Sequence, residues 1–295
     1  MNTSLLTPIE DRAMLAYLSV GGWSARKLDR KASKDVVADN NATADAARVN
    51  KNLLASADQQ LNAIRKKGDD ARKYLDANTL PWDDAGNRML PNANALEVIA
   101  TLNAMEKEYR DAVDEFVQNY PALRAQAIAN LGDLANDDDY PRPDQVRHKF
   151  YFRISLTPMP SQFNDARIGL TEAQCTALQA HYTARTSERH SKALQAAWTR
   201  LRENVEHIAD RLTPDAQNPE KVKIFRDSLV ENALQTCDLL RALNVFDDPD
   251  LELARSTVER TIKSVSADSL RKSPTVAAAV KETMDDVLKR MSTWL

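Results

Sequence analysis

Phe150, Tyr151, Phe152, Arg153, Ile154, Ser155, Leu156 and Thr157 make up the clearest strand in the sequence. Phe150, Phe152, Ile154 and Leu156 alternate with Tyr151, Arg153, Ser155 and Thr157, the two-residue period of a half-buried strand. Pro158 and Pro160 close the run. A single strand leaves its backbone donors and acceptors unpaired, so it needs a partner. Arg12–Val20 is the other good candidate. There Met14, Ala16, Leu18 and Val20 fall on one side and Leu15, Tyr17 and Ser19 on the other, and Gly21-Gly22 can turn the chain afterwards. Two strands, about 12–20 and 149–157, are therefore expected to pair across the base of whatever lies between them.

What lies between them reads as helix. Ala42–Leu75 places Val49, Leu53, Ala57, Leu61, Ile64, Gly68, Ala71 and Leu75 at steps of three and four, a coiled-coil-like seam. Ala93–Leu134 carries Leu102, Met105, Tyr109, Ala112, Phe116, Tyr120, Leu123 and Ala127 on one stripe, with Pro121 expected to kink or restart it. The simplest arrangement is a long antiparallel helical hairpin with the Pro81–Pro91 loop at its tip. Beyond 160 the helix starts are marked. Thr171–Gln174 is a capping box, and Asn218-Pro219, Asp248-Pro249 and Ser273-Pro274 each put a capping residue before a proline. Helices are expected at 172–212, 219–244, 249–266 and 274–293, with stripes such as Leu194, Trp198, Leu201, Val205, Ile208 and Leu212, or Val222, Phe225, Leu229 and Ala233. The expected fold is mainly α: a helical hairpin plus a C-terminal helical bundle, with a small two-stranded β element. A strand–hairpin–strand domain would span 1–160 and a bundle 161–295, and the two can pack as one unit.

Composition agrees and narrows the function. Of 295 residues only 6 are glycine, where average usage near ~7% would give about 20. That leaves little material for phosphate-binding loops, and no Walker-type or dinucleotide motif occurs. The net charge of −3 argues against a generally basic, nucleic-acid-coating surface. Cys175 and Cys237 lie far apart in helical patterns and read as small buried residues. No apolar run reaches the ~18 residues of a membrane span, and no leader pattern opens the chain, so a cytoplasmic protein is expected.

Catalytic sets are missing from the sequence. Glu203 and His207 lie one helical turn apart, but no Glu-x-x-His or His-Glu-x-x-His occurs, so no metal or other cofactor is expected. Asp137, Asp138 and Asp139 lack the spacing and glycine of a calcium loop and read as a solvated turn. Trp23, Arg26, Lys27, Arg30 and Lys31 could contact phosphates, with the indole as a stacking surface; the competing reading is a packed tryptophan with snorkelling bases. Lys66-Lys67 and Arg72-Lys73 are expected to meet acids of the second helix. At the loop, Trp82, Met89 and Leu90 would be exposed if the hairpin projects, and with Asp83, Asp84 and Arg88 they are the partner-binding candidates. Otherwise the loop folds back and buries them in its own chain.

A strand running into Trp23-Ser24-Ala25-Arg26-Lys27-Leu28, then a helical pair and a second strand, resembles a family of uncharacterised bacterial and phage proteins with a Trp-Ser-Gly-Arg-Lys-like stretch. Genes of that family often neighbour a MoxR-type AAA+ ATPase and a von Willebrand A-type protein. Ala25 stands where glycine is usual, and the resemblance brings no catalytic residues. It implies a phage or mobile-element origin and a protein partner. The leading expectation is a non-enzymatic helical adaptor or scaffold that binds protein partners, either a AAA+ machine or a host protein, with self-association open. A nucleic-acid-handling accessory protein for recombination or packaging is the second reading. An enzyme assembled from distant helices is the third.

Overall fold

The computed structural model describes residues 9–160, 171–215, 218–222 and 228–292. In chain order the elements are β1 (Ala13–Gly21), β2 (Arg26–Asp29), α1 (Arg30–Asp39), β3 (Val49–Asn52), α2 (Asp58–Ala77), β4 (Leu80–Pro81) and β5 (Arg88–Pro91). Then follow α3 (Ala95–Leu131), α4 (Pro143–Val146), β6 (Tyr151–Pro158) and α5 (Glu172–Leu212). The chain continues through β7 (Pro214–Asp215), β8 (Asn218–Val222), α6 (Ser228–Leu243), α7 (Pro249–Lys263), α8 (Ala267–Lys272) and α9 (Pro274–Met291). The fold is mainly helical, as expected.

β1 and β6 are neighbours in one sheet, so the expected strand pairing holds. That sheet has four strands rather than two, in the order β4-β5-β1-β6. The two extra strands come from the Pro81–Pro91 loop. β5 pairs antiparallel with β1, from Ala13 opposite Pro91 to Ala16 opposite Arg88, and β4 pairs with β5. The turn between them is built by Asp83, whose carboxylate accepts from the backbone N–H groups of Ala85 and Asn87. Gly86 completes it at φ +91°, a left-handed backbone that favours glycine. The loop is a folded-back hairpin, not a projecting tip.

The described residues divide into two compact units: those in 9–17, 76–98 and 155–292 form one, and 18–75 with 99–154 the other. This differs from the expected boundary at 160, because the chain passes between units inside β1 and β6 and near the ends of α2 and α3.

In the second unit α2 buries Leu61, Ile64, Gly68, Ala71 and Leu75, the later part of the expected seam. α2 meets α3 at the Lys67–Glu108 ion pair, 2.9 Å apart. Gly68 is needed for close approach, since a Cβ there would lie 2.8 Å from Val20 Cγ1. Aromatic rings fill the centre: Tyr109 lies 5.6 Å from Phe152, and Phe116 lies 5.6 Å from Phe150. α3 runs through Pro121 without restarting. The expected helix from Ala42, however, begins only at Asp58. Val49–Asn52 is a strand paired with Arg26–Asp29, Asn41 is left-handed at φ +50°, and the spacing of Val49, Leu53 and Ala57 is coincidental.

In the first unit α5, α6, α7, α8 and α9 surround one apolar core. The stripe from Trp198 to Leu212 is buried as expected, with Leu194 packed at its edge. The caps at Thr171, Asp248 and Ser273 accept backbone N–H groups as their side chains predict. Asn218-Pro219 is not a cap: both lie in β8, which pairs with β7, and α6 starts at Ser228. Phe225 of the expected stripe lies outside the described residues. α8, capped by Ser266, was not expected.

Candidate docking groove on the long helix

Burial decides the fate of the loop residues. Trp82 is 4% exposed, Met89 0% and Leu90 1%. Trp82 and Met89 belong to the apolar core of the helical unit, so these three offer no exposed apolar surface to a partner. Arg88 is likewise committed within the chain. Its Nη2 donates to the carbonyls of Asp76 and Thr79, and its Nε donates to Thr79 Oγ1 at 2.7 Å.

Arg200 of α5, absent from the expected site, meets the same backbone. It donates to the Asp76, Ala77 and Thr79 carbonyls at 2.6, 2.8 and 2.7 Å. The last carbonyls of a helix have no partner within it and carry the negative end of its dipole. Two guanidinium groups satisfy them at the end of α2, and Thr79 is completely buried beside them. Sequence reasoning missed this because the acceptors are main-chain atoms more than a hundred residues away from Arg200.

Asp83 and Asp84 are placed differently. With Pro81, Trp82 and Ala85 they form one wall of a groove of about 500 Å³, and His181, Arg185, Glu188, Arg189 and Lys192 of α5 form the other. The Arg189 guanidinium sits 5.3 Å above the Trp82 ring. His190 packs between Trp82 and Phe246, at 5.8 and 5.6 Å between ring centres. Burial pushes its pKa below the usual imidazole value, so it is neutral at pH 7. The groove therefore sets two carboxylates against a mostly basic helix face, beside the buried Trp82 ring. Such a surface matches a segment of mixed charge.

The same helix has a second property. All eight of its buried residues lie between Ala193 and Leu212, and none lies between Glu172 and Lys192. That first stretch spans about 30 Å at 1.5 Å per residue. Cys175, Tyr182, Thr186 and Arg189 are half-buried along one narrow seam, and Leu178 is exposed.

The basic segment of the other unit is divided. The Trp23 ring packs edge-on against Tyr120 at 6.0 Å. Lys27 bonds Asp139 at 2.6 Å, and Lys51 bridges Asp139 and Asp29 at 2.7 and 3.4 Å. The Asp139 side chain is only 4% exposed. The acidic turn thus holds an internal ion pair, and is not fully solvated. The two lysines keep the Asp139 carboxyl below its usual pKa against the opposing effect of desolvation. Arg26, Arg30 and Lys31 are exposed. Of the other basic residues considered, Lys67 meets Glu108, while Arg72 pairs with Asp69 on its own helix.

Glu203 and His207 both line a groove of about 380 Å³ beside Arg200. Among the described residues no three His, Cys, Asp or Glu side chains gather as a metal site. No described helix is long and apolar enough to cross a membrane. Burial raises the Cys237 thiol to about 11, which makes it a poor nucleophile. No protein-family model, curated protein or solved structure matches this chain.

Two predictions follow from these charges. Arg200→Met removes three charge-assisted bonds and should cost about 2 kcal/mol in urea unfolding. Arg200→Lys should recover only part of that loss, because an ammonium lacks the planar fork. The second concerns Glu259 of α7, which is bonded by Lys263, Arg255 and Arg241. These hold its pKa at about 2, below the usual 4.5. Its stabilisation is complete above 4.5 and is lost as pH falls through about 2. Melting curves of Glu259→Gln should therefore fall several degrees below wild type at neutral pH and converge with it in strong acid.

Proposed function

We propose that this protein is a non-enzymatic helical adaptor that binds a protein partner along the first half of α5 and the groove at its root. The observation that carries this reading is the absence of any buried residue from Glu172 to Lys192. A helix gains most of its stability from packing an apolar face, and a polar helix in water is marginal. The stretch pairs its own charges, Arg185 and Lys192 with Glu188, but such exposed pairs contribute little. A partner lying on it would supply the missing packing, and the groove beside Trp82 would fix its register.

The resemblance to phage and bacterial proteins encoded near AAA+ ATPases fits this role. Ala25, which replaces the usual glycine, has φ +51°, the backbone that glycine adopts most easily. On this reading the partner is a AAA+ machine or a host protein, and the protein works in the cytoplasm, that of the host if it is phage-encoded. Handling of nucleic acid is the second reading, supported by the exposed Arg26, Arg30 and Lys31.

The test is affinity capture from the native cell or infected host, with nuclease, comparing wild type with Leu178→Asp plus Arg185→Glu. Both positions are exposed, so the fold should melt as wild type. Loss of a stoichiometric, nuclease-resistant partner in the variant is the expected result. Equal capture by both forms would place the docking surface elsewhere, and recovery of nuclease-sensitive material alone would favour the second reading.

A further inference from the structure

The second unit holds a cavity of about 170 Å³ next to the Trp23 segment. Its lining includes Trp23, Ser24, Arg65, Arg72 and Tyr109, and no aspartate or glutamate. Two of these groups are fixed by the chain itself. Tyr109 donates its hydroxyl to the Gly21 carbonyl at 2.7 Å, and Arg72 bonds the Val20 carbonyl and Asp69. Burial raises the Tyr109 pKa to about 12, so its hydroxyl stays protonated and keeps that bond.

The other three are uncommitted donors. Arg65 meets only the Asn62 side-chain oxygen, at 2.9 Å, and has no carboxylate partner among the described residues. The Ser24 hydroxyl and the Trp23 indole N–H have no hydrogen-bond partner among the described residues. A concavity with one unpaired guanidinium, further donors and no acid is complementary to a compact anion rich in acceptors. Its volume of about 170 Å³ suits a compact group such as a single phosphate. Trp23 adds an aromatic wall on which a planar group can lie.

We propose that this cavity binds a phosphate oxyanion, with Arg65 as the charged ligand and Ser24 as a neutral donor. The phosphate is either free or the terminal group of a mononucleotide whose base rests on Trp23. The site lies in one unit and does not depend on the docking role of α5.

Isothermal titration of the full chain with inorganic phosphate and with AMP, at constant ionic strength, tests this. Wild type should bind phosphate, Arg65→Gln should bind it about tenfold more weakly or worse, and Ser24→Ala should fall between them. Arg65 is exposed, so the unliganded variant should melt as wild type. Tighter binding of AMP than of phosphate, lost in Trp23→Leu, would identify the nucleotide as the source. Equal affinities would identify the free anion. No heat with either probe, or an unchanged affinity in Arg65→Gln, would overturn the proposal.

Discussion

Arg88 and Arg200 hold the carbonyl end of α2, and the arrangement of the helical unit depends on that clamp. The chain leaves α2 at Ala77 and must enter β4 at Leu80 within a few residues. Carbonyls exposed by so sharp an exit would be costly to bury unpaired. One guanidinium comes from β5 and the other from α5, so the exit is tied at once to the sheet and to the long helix. That fixes where β4 and β5 lie, and with them Trp82 and Met89 in the bundle core. The groove proposed for docking is the outer side of the same arrangement: Asp83 and Asp84 stand opposite α5 because the turn that bears them is held there.

Charge organises the interior of each unit beyond this clamp. In one, Glu259 gathers Arg241, Arg255 and Lys263 between α6 and α7. In the other, Asp139 gathers Lys27 and Lys51 and pins the β2–β3 pair to the turn after α3. Burying charge is expensive, and such pairs often match rather than exceed the stability of an apolar contact. Their contribution here is register. Val-Asn-Lys-Asn has little strand propensity, and β3 is specified by what Lys51 meets as much as by its backbone ladder.

The sequence was legible where a period ran long enough to read. β1 and β6 showed through the alternation of Met14 to Val20 and Phe150 to Leu156. The caps at Thr171, Asp248 and Ser273 showed because Thr, Asp and Ser in those positions satisfy the first backbone donors. β4, β5 and β3 are two to four residues long, too short for a period, and β3 by chance continued a helical spacing. Asn218-Pro219 obeyed the capping rule and still became a strand, since a local preference of this size yields to tertiary pairing. Of the candidate site, Asp83 and Asp84 were legible as a turn, but their partners on α5 were not. Arg185, Arg189 and Lys192 look in sequence like any solvated helical face, and only the fold places them across from two carboxylates.

α5 is one continuous helix with two different environments. Amide hydrogen exchange along it tests this most directly. In the isolated protein the amides of Glu172–Lys192 should exchange far faster than those of Ala193–Leu212, through local opening that the core does not resist, and should slow when the captured partner is added back. Equal protection along the whole helix in the isolated chain would mean that the first half is already held by its own fold, and would contradict the docking role assigned to it.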